Sequence, residues 1–253
     1  MKRVTAFVGS ARKKHTYDAV VQLLNNLQSM GDVEYEIVTL SDYTLKPCRG
    51  CQICLEKGEE FCPLQDDRDM LMDKIMASDG VILASPNYCG HVSGLMKTFI
   101  DRFVFVCHRP RYFGKVSTSI VTYAFARGDK IVEYLDIFAM TLGFNVVKGT
   151  CVNAADPRTE KDQEKIDRAL SRQARQFYAG MVKPAYPAPS LLMLAIFRTF
   201  RCMIRQASDD TTPDYRYYAE KGWFESDYYY PTRLGVLKKG AGMLFDSLAA
   251  RTR

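Results

Sequence analysis

Val4-Thr5-Ala6-Phe7-Val8-Gly9-Ser10-Ala11-Arg12-Lys13-Lys14-His15-Thr16 decides how this chain is to be read. The first five residues are an apolar, β-rich run, and Gly9-Ser10 ends it. An apolar periodicity follows through Ala19, Val20, Leu23, Leu24 and Leu27, the spacing of one helix face. Strand, polar loop and helix in that order make a β-α unit.

The unit recurs. Val33–Leu40 alternates as a second strand, and a helix is expected over Met70–Met76. Gly80–Ala84 is a buried strand ending at Ser85-Pro86, with a helix over Leu95–Val106. Val116–Tyr123 is a fourth strand before a helix over Lys130–Leu142. Phe144–Val152 is the fifth, before a charged amphipathic helix over Glu160–Val182. Alternating strands and helices predict an α/β fold: a doubly wound, five-stranded parallel sheet with helices on both faces. The 2-1-3-4-5 order suits five units, with a ligand crevice at the carboxyl ends of strands one and three.

Lys183-Pro184-Ala185-Tyr186-Pro187-Ala188-Pro189 breaks the composition, and closely spaced prolines stiffen a linker. The expected division is a ligand-binding domain over 1–183 and a helical, aromatic-rich extension over 184–253. The extension has an apolar, basic helix over Ser190–Gln206, a cluster of aromatics in Tyr215–Tyr230, and a last helix over Arg233–Leu248. Aromatics at that density are expected to pack on the core or on a second subunit. A peripheral membrane role for Leu191–Phe200 with Arg198, Arg201 and Arg205 is the weaker alternative.

The 253 residues carry 47% apolar and 25% charged side chains, enough for a substantial core. The net charge of +6 suits anionic ligands and is too diffuse to argue for nucleic acid. No apolar run reaches the ~18–20 residues of a spanning helix, so no integral membrane role is expected. Met1-Lys2-Arg3 enters a strand without a signal-peptide pattern. A cytoplasmic protein with reduced cysteines is expected.

Four of the eight cysteines, Cys48, Cys51, Cys54 and Cys62, fall within fifteen residues and are followed by Pro63. Thiolates three residues apart can converge on one centre, and iron–sulfur clusters are held by four such cysteines. Structural zinc more often pairs two short C-x2–4-C units across a longer spacer. Metal-free thiols are the third reading. Cys89, Cys107, Cys151 and Cys202 are isolated and expected to act as small hydrophobes.

Two loops carry the ligand signals. Ser10, Arg12 and Thr16 lie where a helix N-terminus offers free N–H groups and a positive dipole end. The loop has neither G-x-G-x-x-G nor G-x-x-x-x-G-K-S/T, so a terminal monophosphate, as on FMN, matches better than a dinucleotide or a triphosphate. A polar turn that binds nothing is the plain alternative. After strand three, Pro86-Asn87-Tyr88-Cys89-Gly90-His91 leads through Ser93-Gly94 toward Lys97, Asp101 and Arg102. Small residues there let backbone approach a flat ring, and backbone N–H groups can tune a flavin. Cys89 and His91 have no visible acid–base partner, so no catalytic side chain is assigned. Lys97, Asp101 and Arg102 read as helix-surface or interface residues.

Gly9-Ser10-Ala11-Arg12-Lys13, together with Ser85-Pro86-Asn87-Tyr88 through Lys97-Thr98-Phe99-Ile100-Asp101-Arg102, resembles the NADPH-dependent FMN reductase superfamily, of flavodoxin-like fold. The cysteine stretch followed by Asp66-Asp67 resembles its iron–sulfur flavoprotein branch. Lys14-His15 stand where that family often has Gly-Asn before the Thr. The resemblance implies noncovalent FMN, with phosphate on Ser10, Arg12 and Thr16 and the ring near Pro86–His91. It also implies a 4Fe–4S cluster on Cys48, Cys51, Cys54 and Cys62, and homodimers or homotetramers.

The expected function is an FMN-dependent oxidoreductase passing electrons between NAD(P)H or a protein donor, FMN and a 4Fe–4S cluster. One alternative is an FMN-binding electron carrier without a dedicated substrate, exchanging with a ferredoxin-like partner. Another is an NAD(P)H-dependent FMN or quinone reductase whose cysteine loop is metal-free or zinc-bound.

Overall fold

The computed structural model describes residues 1–125, 128–207 and 209–251. In chain order its elements are β1 (Lys2–Val8), α1 (His15–Gln28), β2 (Val33–Thr39), α2 (Ile53–Glu56), α3 (Arg68–Met76) and β3 (Gly80–Pro86). Next come α4 (Gly94–Arg102), α5 (Val104–His108), β4 (Val116–Tyr123), α6 (Asp129–Thr141), β5 (Asn145–Val146) and β6 (Thr150–Asn153). Four helices follow: α7 (Glu160–Val182), α8 (Leu191–Ala207), α9 (Pro213–Glu220) and α10 (Val236–Arg251). Two compact units result: 1–49 with 64–185, and 50–63 with 186–253.

In the first unit the strands are parallel in the order β2-β1-β3-β4-β5, with β6 continuing beside β4. This is the flavodoxin-like order that five β-α units predict. β3, at the centre, is buried at every residue, as expected of a strand covered on both faces. β1 alternates: Val4, Ala6 and Val8 join the core under α1 and α7, with Leu23, Leu24, Leu170 and Phe177. Phe7 points to the other face and meets Phe99 of α4 with ring centroids 5.0 Å apart.

Two elements differ from their periodicity. The helix expected over Leu95–Val106 is two helices, because the chain tightens at Phe103, whose N–H donates to Ile100 three residues back. Strand five is interrupted between Val146 and Thr150. There the Gly149 N–H donates to Asp136 Oδ2, and a Cβ on Gly149 would lie 2.5 Å from the Ser119 carbonyl oxygen. Only a glycine fits so close to the neighbouring strand.

In the second unit α2 packs on α9, and α8 packs along α10. α9 falls inside the aromatic-rich stretch and starts with Pro213, the favoured first helical residue. Trp223 forms edge contacts with Tyr218 and Tyr229 at 4.9 and 4.7 Å. Arg198 and Arg201 of α8 turn inward, Arg198 bonding Asp227 and Asp246 and Arg201 bonding Asp246, while the exposed Arg205 pairs with Glu225 at the surface. Each arginine on which the membrane reading of α8 rested is thus paired with an acid of the same unit.

Candidate functional site

The carboxyl ends of the strands hold a cavity of about 260 Å³. Ser10, Arg12, Lys14, His15 and Thr16 line it from the first loop, and Pro86, Asn87 and Tyr88 from the loop after β3. Six of the nine residues expected at a flavin therefore share one cavity: Ser10, Arg12, Thr16, Pro86, Asn87 and Tyr88. Cys89, Gly90 and His91 are outside its lining. Thr122, Tyr123 and Ala124 at the end of β4, and Ala154 and Asp156 after β6, complete the wall. Those last five have no local signal; only the sheet order brings them in.

Local bonds fix the first loop. Ser10 Oγ donates to the Arg12 carbonyl at 3.1 Å, and the Lys14 N–H donates to the same oxygen at 2.9 Å. No side chain caps α1, so no capping oxygen competes for its first-turn N–H groups. The buried Thr16 hydroxyl is 2.7 Å from that of Thr122, pinning the helix start to the middle of the sheet. An Nη of Arg158 donates to Nδ1 of His15 at 3.1 Å. A guanidinium only donates, so this bond leaves the proton of His15 on Nε2. Arg12 and Lys14 against Asp156 give the lining a cationic balance.

The second loop is a tight hairpin. Tyr88 and His91 exchange backbone bonds of 2.9 and 3.0 Å. Cys89 and Gly90 between them have φ of 52° and 80°, the double positive φ of a type I′ turn. Asn87 Oδ1 accepts from the Gly90 N–H at 2.9 Å. Cys89 thus sits at an exposed turn tip.

The donor set fits FMN. An uncapped helix start, a hydroxyl and basic side chains suit a phosphate dianion, and the hairpin beside them offers backbone and the exposed Tyr88 for a flat ring.

Asp66 and Arg102 form an ion pair that sequence reading did not find. They are 2.7 Å apart, with side chains only 1% and 3% exposed. Asp66 also accepts from the Lys46 and Arg68 N–H groups at 3.0 and 3.3 Å, and Asp67 accepts from the Thr44 N–H at 2.7 Å. These bonds close the neck of the cysteine stretch. Burial opposes ionisation of Asp66, but Arg102 and the two amides outweigh it and hold the carboxyl below its ordinary range. Arg102 is therefore a core residue rather than the surface or interface residue its helical position suggested. Lys97 pairs with Asp101 on α4, both half-exposed.

Cys48 and Cys51 are exposed, and Cys54 and Cys62 are half-buried; none of the eight cysteines, all among the described residues, is in a disulfide. Four soft thiols suit iron–sulfur chemistry by type. Among the described residues, no group of three or more His, Cys, Asp or Glu side chains stands ready to hold a metal ion.

A larger groove of about 960 Å³ follows the sheet edge between α6, β6 and α7. It lies away from the strand ends where doubly wound sheets bind ligands. Burial raises the pKa of Asp136 there, while the Gly149 N–H and Ser119 hydroxyl oppose the rise.

A 2-1-3-4-5 sheet with an anion-ready cavity beyond strands one and three is the architecture of the flavodoxin-like flavoproteins. The chain belongs to the NADPH-dependent FMN reductase family, which matches residues 2–157. An iron-sulfur flavoprotein of Archaeoglobus fulgidus is 30% identical over 232 residues, 87% of this chain and 99% of that protein. An iron-sulfur flavoprotein of Methanocaldococcus jannaschii is 37% identical over 100 residues, 40% of this chain and 51% of that protein. The crystal structure of RosB, holding 8-demethyl-8-formylriboflavin-5'-phosphate, shares the fold with a TM-score of 0.59 at 12% identity. That likeness covers 93% of this chain and 92% of RosB. Family membership gives the coarse class, an FMN-dependent oxidoreductase. No described helix is long and apolar enough to cross a membrane.

Proposed function

We propose that this protein passes electrons between a reduced nicotinamide or protein donor and an acceptor, using FMN in the strand-end cavity and a 4Fe–4S cluster on Cys48, Cys51, Cys54 and Cys62. The observation that carries the flavin part is the single cavity uniting both ligand loops at an uncapped helix start. The cluster part rests on the cysteine spacing and on the iron-sulfur flavoproteins among the relatives.

When bound, FMN supplies electron exchange in pairs or singly. The chain's own residues do the rest. Arg12, Ser10, Thr16 and the first-turn N–H groups of α1 hold the phosphate. Pro86, Asn87 and Tyr88 would wall the ring, with the I′ turn that follows bracing their loop. The chain is further proposed to act in the cytoplasm as a homodimer or homotetramer, which light scattering reads.

Arg12→Ala removes a charge-assisted contact worth about 1.5–3 kcal/mol. The FMN Kd is expected to rise about 10- to 150-fold in a flavin-fluorescence titration. A change below about twofold would place the phosphate elsewhere.

Anaerobic purification tests the cluster. About four iron and four sulfide per chain are expected, with loss of both in Cys54→Ser. Full FMN occupancy with near-zero iron sinks the cluster and leaves the flavin reading intact. Rapid mixing with NADH and NADPH identifies the donor; no reduction by either, with fast exchange to a reduced ferredoxin, would make the protein a carrier.

A further inference from the structure

The second unit contains a helix, α10, whose outer face is largely apolar. The inner side of α10 carries Lys238, Gly242 and Asp246. Lys238 Nζ donates to the Pro189 carbonyl at 2.6 Å, Asp246 accepts from Arg198 and Arg201 at 2.7 and 2.6 Å, and Gly242 lies under the Arg198 guanidinium. These polar groups share the inner side with Gly242 and Ala249, while Val236, Leu237, Met243, Leu244 and Leu248 are exposed, a more apolar outer face than an ordinary surface helix carries.

The same contacts fix direction. Pro189, just before α8, meets the first turn of α10, and Arg198 and Arg201 meet its middle. The two helices run parallel, so their N-terminal ends share one end of the unit. Both starts are apolar and bare: Leu191 and Leu192 are 52% and 61% exposed, and Val236 and Leu237 are 88% and 89% exposed. The exposed Tyr186 packs against Tyr230 at a tilt of 52° with centroids 5.0 Å apart, and Tyr230 donates to the Pro187 carbonyl.

Charge says what covers this end. Arg233 and Lys239 are exposed around it. No acidic residue occurs in 186–206 or 228–245. The nearest acids, Asp227 and Asp246, are spent on Arg198 and Arg201. A twofold contact between copies sets one patch against itself, which here would oppose cation to cation. An apolar tip ringed by cations and a tyrosine pair instead matches the interface of a bilayer with anionic headgroups.

We propose that the paired N-terminal ends of α8 and α10 form a peripheral docking tip for anionic lipid. Leu192, Val236 and Leu237 dip below the headgroups, and Arg233 and Lys239 meet the phosphates. None of these residues lines the flavin cavity.

The test is co-sedimentation of the full FMN-loaded chain with vesicles of phosphatidylcholine alone or mixed with phosphatidylglycerol. Binding is expected on the anionic vesicles, weakened by salt, and near background on the neutral ones. Leu192→Glu with Leu237→Glu should cut the bound fraction about tenfold, and Arg233→Ser with Lys239→Ser should remove the anionic preference. Flavin absorbance and far-ultraviolet circular dichroism, unchanged in each variant, report an intact fold. No sedimentation of the parent chain with anionic vesicles, or equal sedimentation with neutral ones, overturns the proposal. So does a drop in particle mass by light scattering when Leu192 and Leu237 are changed to Ser, which would assign the tip to a second copy.

Discussion

Asp66→Ala is expected to lower the unfolding free energy by about 3–5 kcal/mol, the cost of leaving one partner of a buried ion pair uncompensated. Asp66 and Arg102 are 2.7 Å apart and almost wholly buried, so water cannot replace the lost carboxylate. Urea unfolding of the parent and variant measures the difference. A loss below about 1 kcal/mol would mean the pair behaves like an exposed one. Amide exchange gives a local readout. The Lys46 N–H loses its acceptor and should exchange faster, whereas the Thr44 N–H, bonded to Asp67, should keep its protection.

The same pair sets an acid limit. The Asp66 carboxyl is held below its ordinary value in the folded chain. Its stabilisation is therefore fully present above the unfolded pKa of about 3.9. It is lost as pH falls below that value and through the folded one. The alanine variant should show a flatter decline in stability through that window, while near neutral pH the difference between the two chains stays constant.

Gly9→Val is expected to disturb both ligand loops at once. A Cβ there would stand 2.8 Å from Met96 Cβ and 2.9 Å from Ser93 Oγ. Neither neighbour can move freely. Met96 is fully buried, and Ser93 Oγ accepts from the Met96 N–H while donating to the Gly9 carbonyl. The Ser93 N–H in turn donates to Ser85 Oγ, at the root of the second loop. Overpacking of this kind costs about 1–3 kcal/mol. If the strain falls on the bound state, FMN affinity drops about 5- to 150-fold, read by fluorescence titration. A lower melting temperature with unchanged affinity would show that the crowding does not reach the cavity.

The sheet was legible because burial imposes period two and period 3.6 on apolar residues. β3 announces itself as an apolar run, β1 and β4 as stretches rich in β-branched residues, and α1 as a stripe of leucines and valines. The two loops were legible because a strand-to-helix junction fixes where N–H groups point. Asp66–Arg102 was not, since nothing local distinguishes a buried arginine on α4 from an exposed one 36 residues away from its partner. Thr122 and Asp156 reach the cavity only through the strand order, a long-range property. The outward apolar face of α10 was hidden for a related reason: periodicity reports that a helix has two faces, and the arginines of α8 decide which one turns in.

The interruption of strand five also bears on how the protein behaves when crowded. An edge strand is an open row of backbone donors and acceptors that another chain can extend. Here the outer edge breaks after Val146 and resumes only at Thr150, with Lys148 exposed in the gap. At the opposite edge Glu34 and Glu36 of β2 hold Arg3 and Lys74 in ion pairs. One border is cut short and the other is guarded by charge, so neither offers a long flat template from which fibrils could grow.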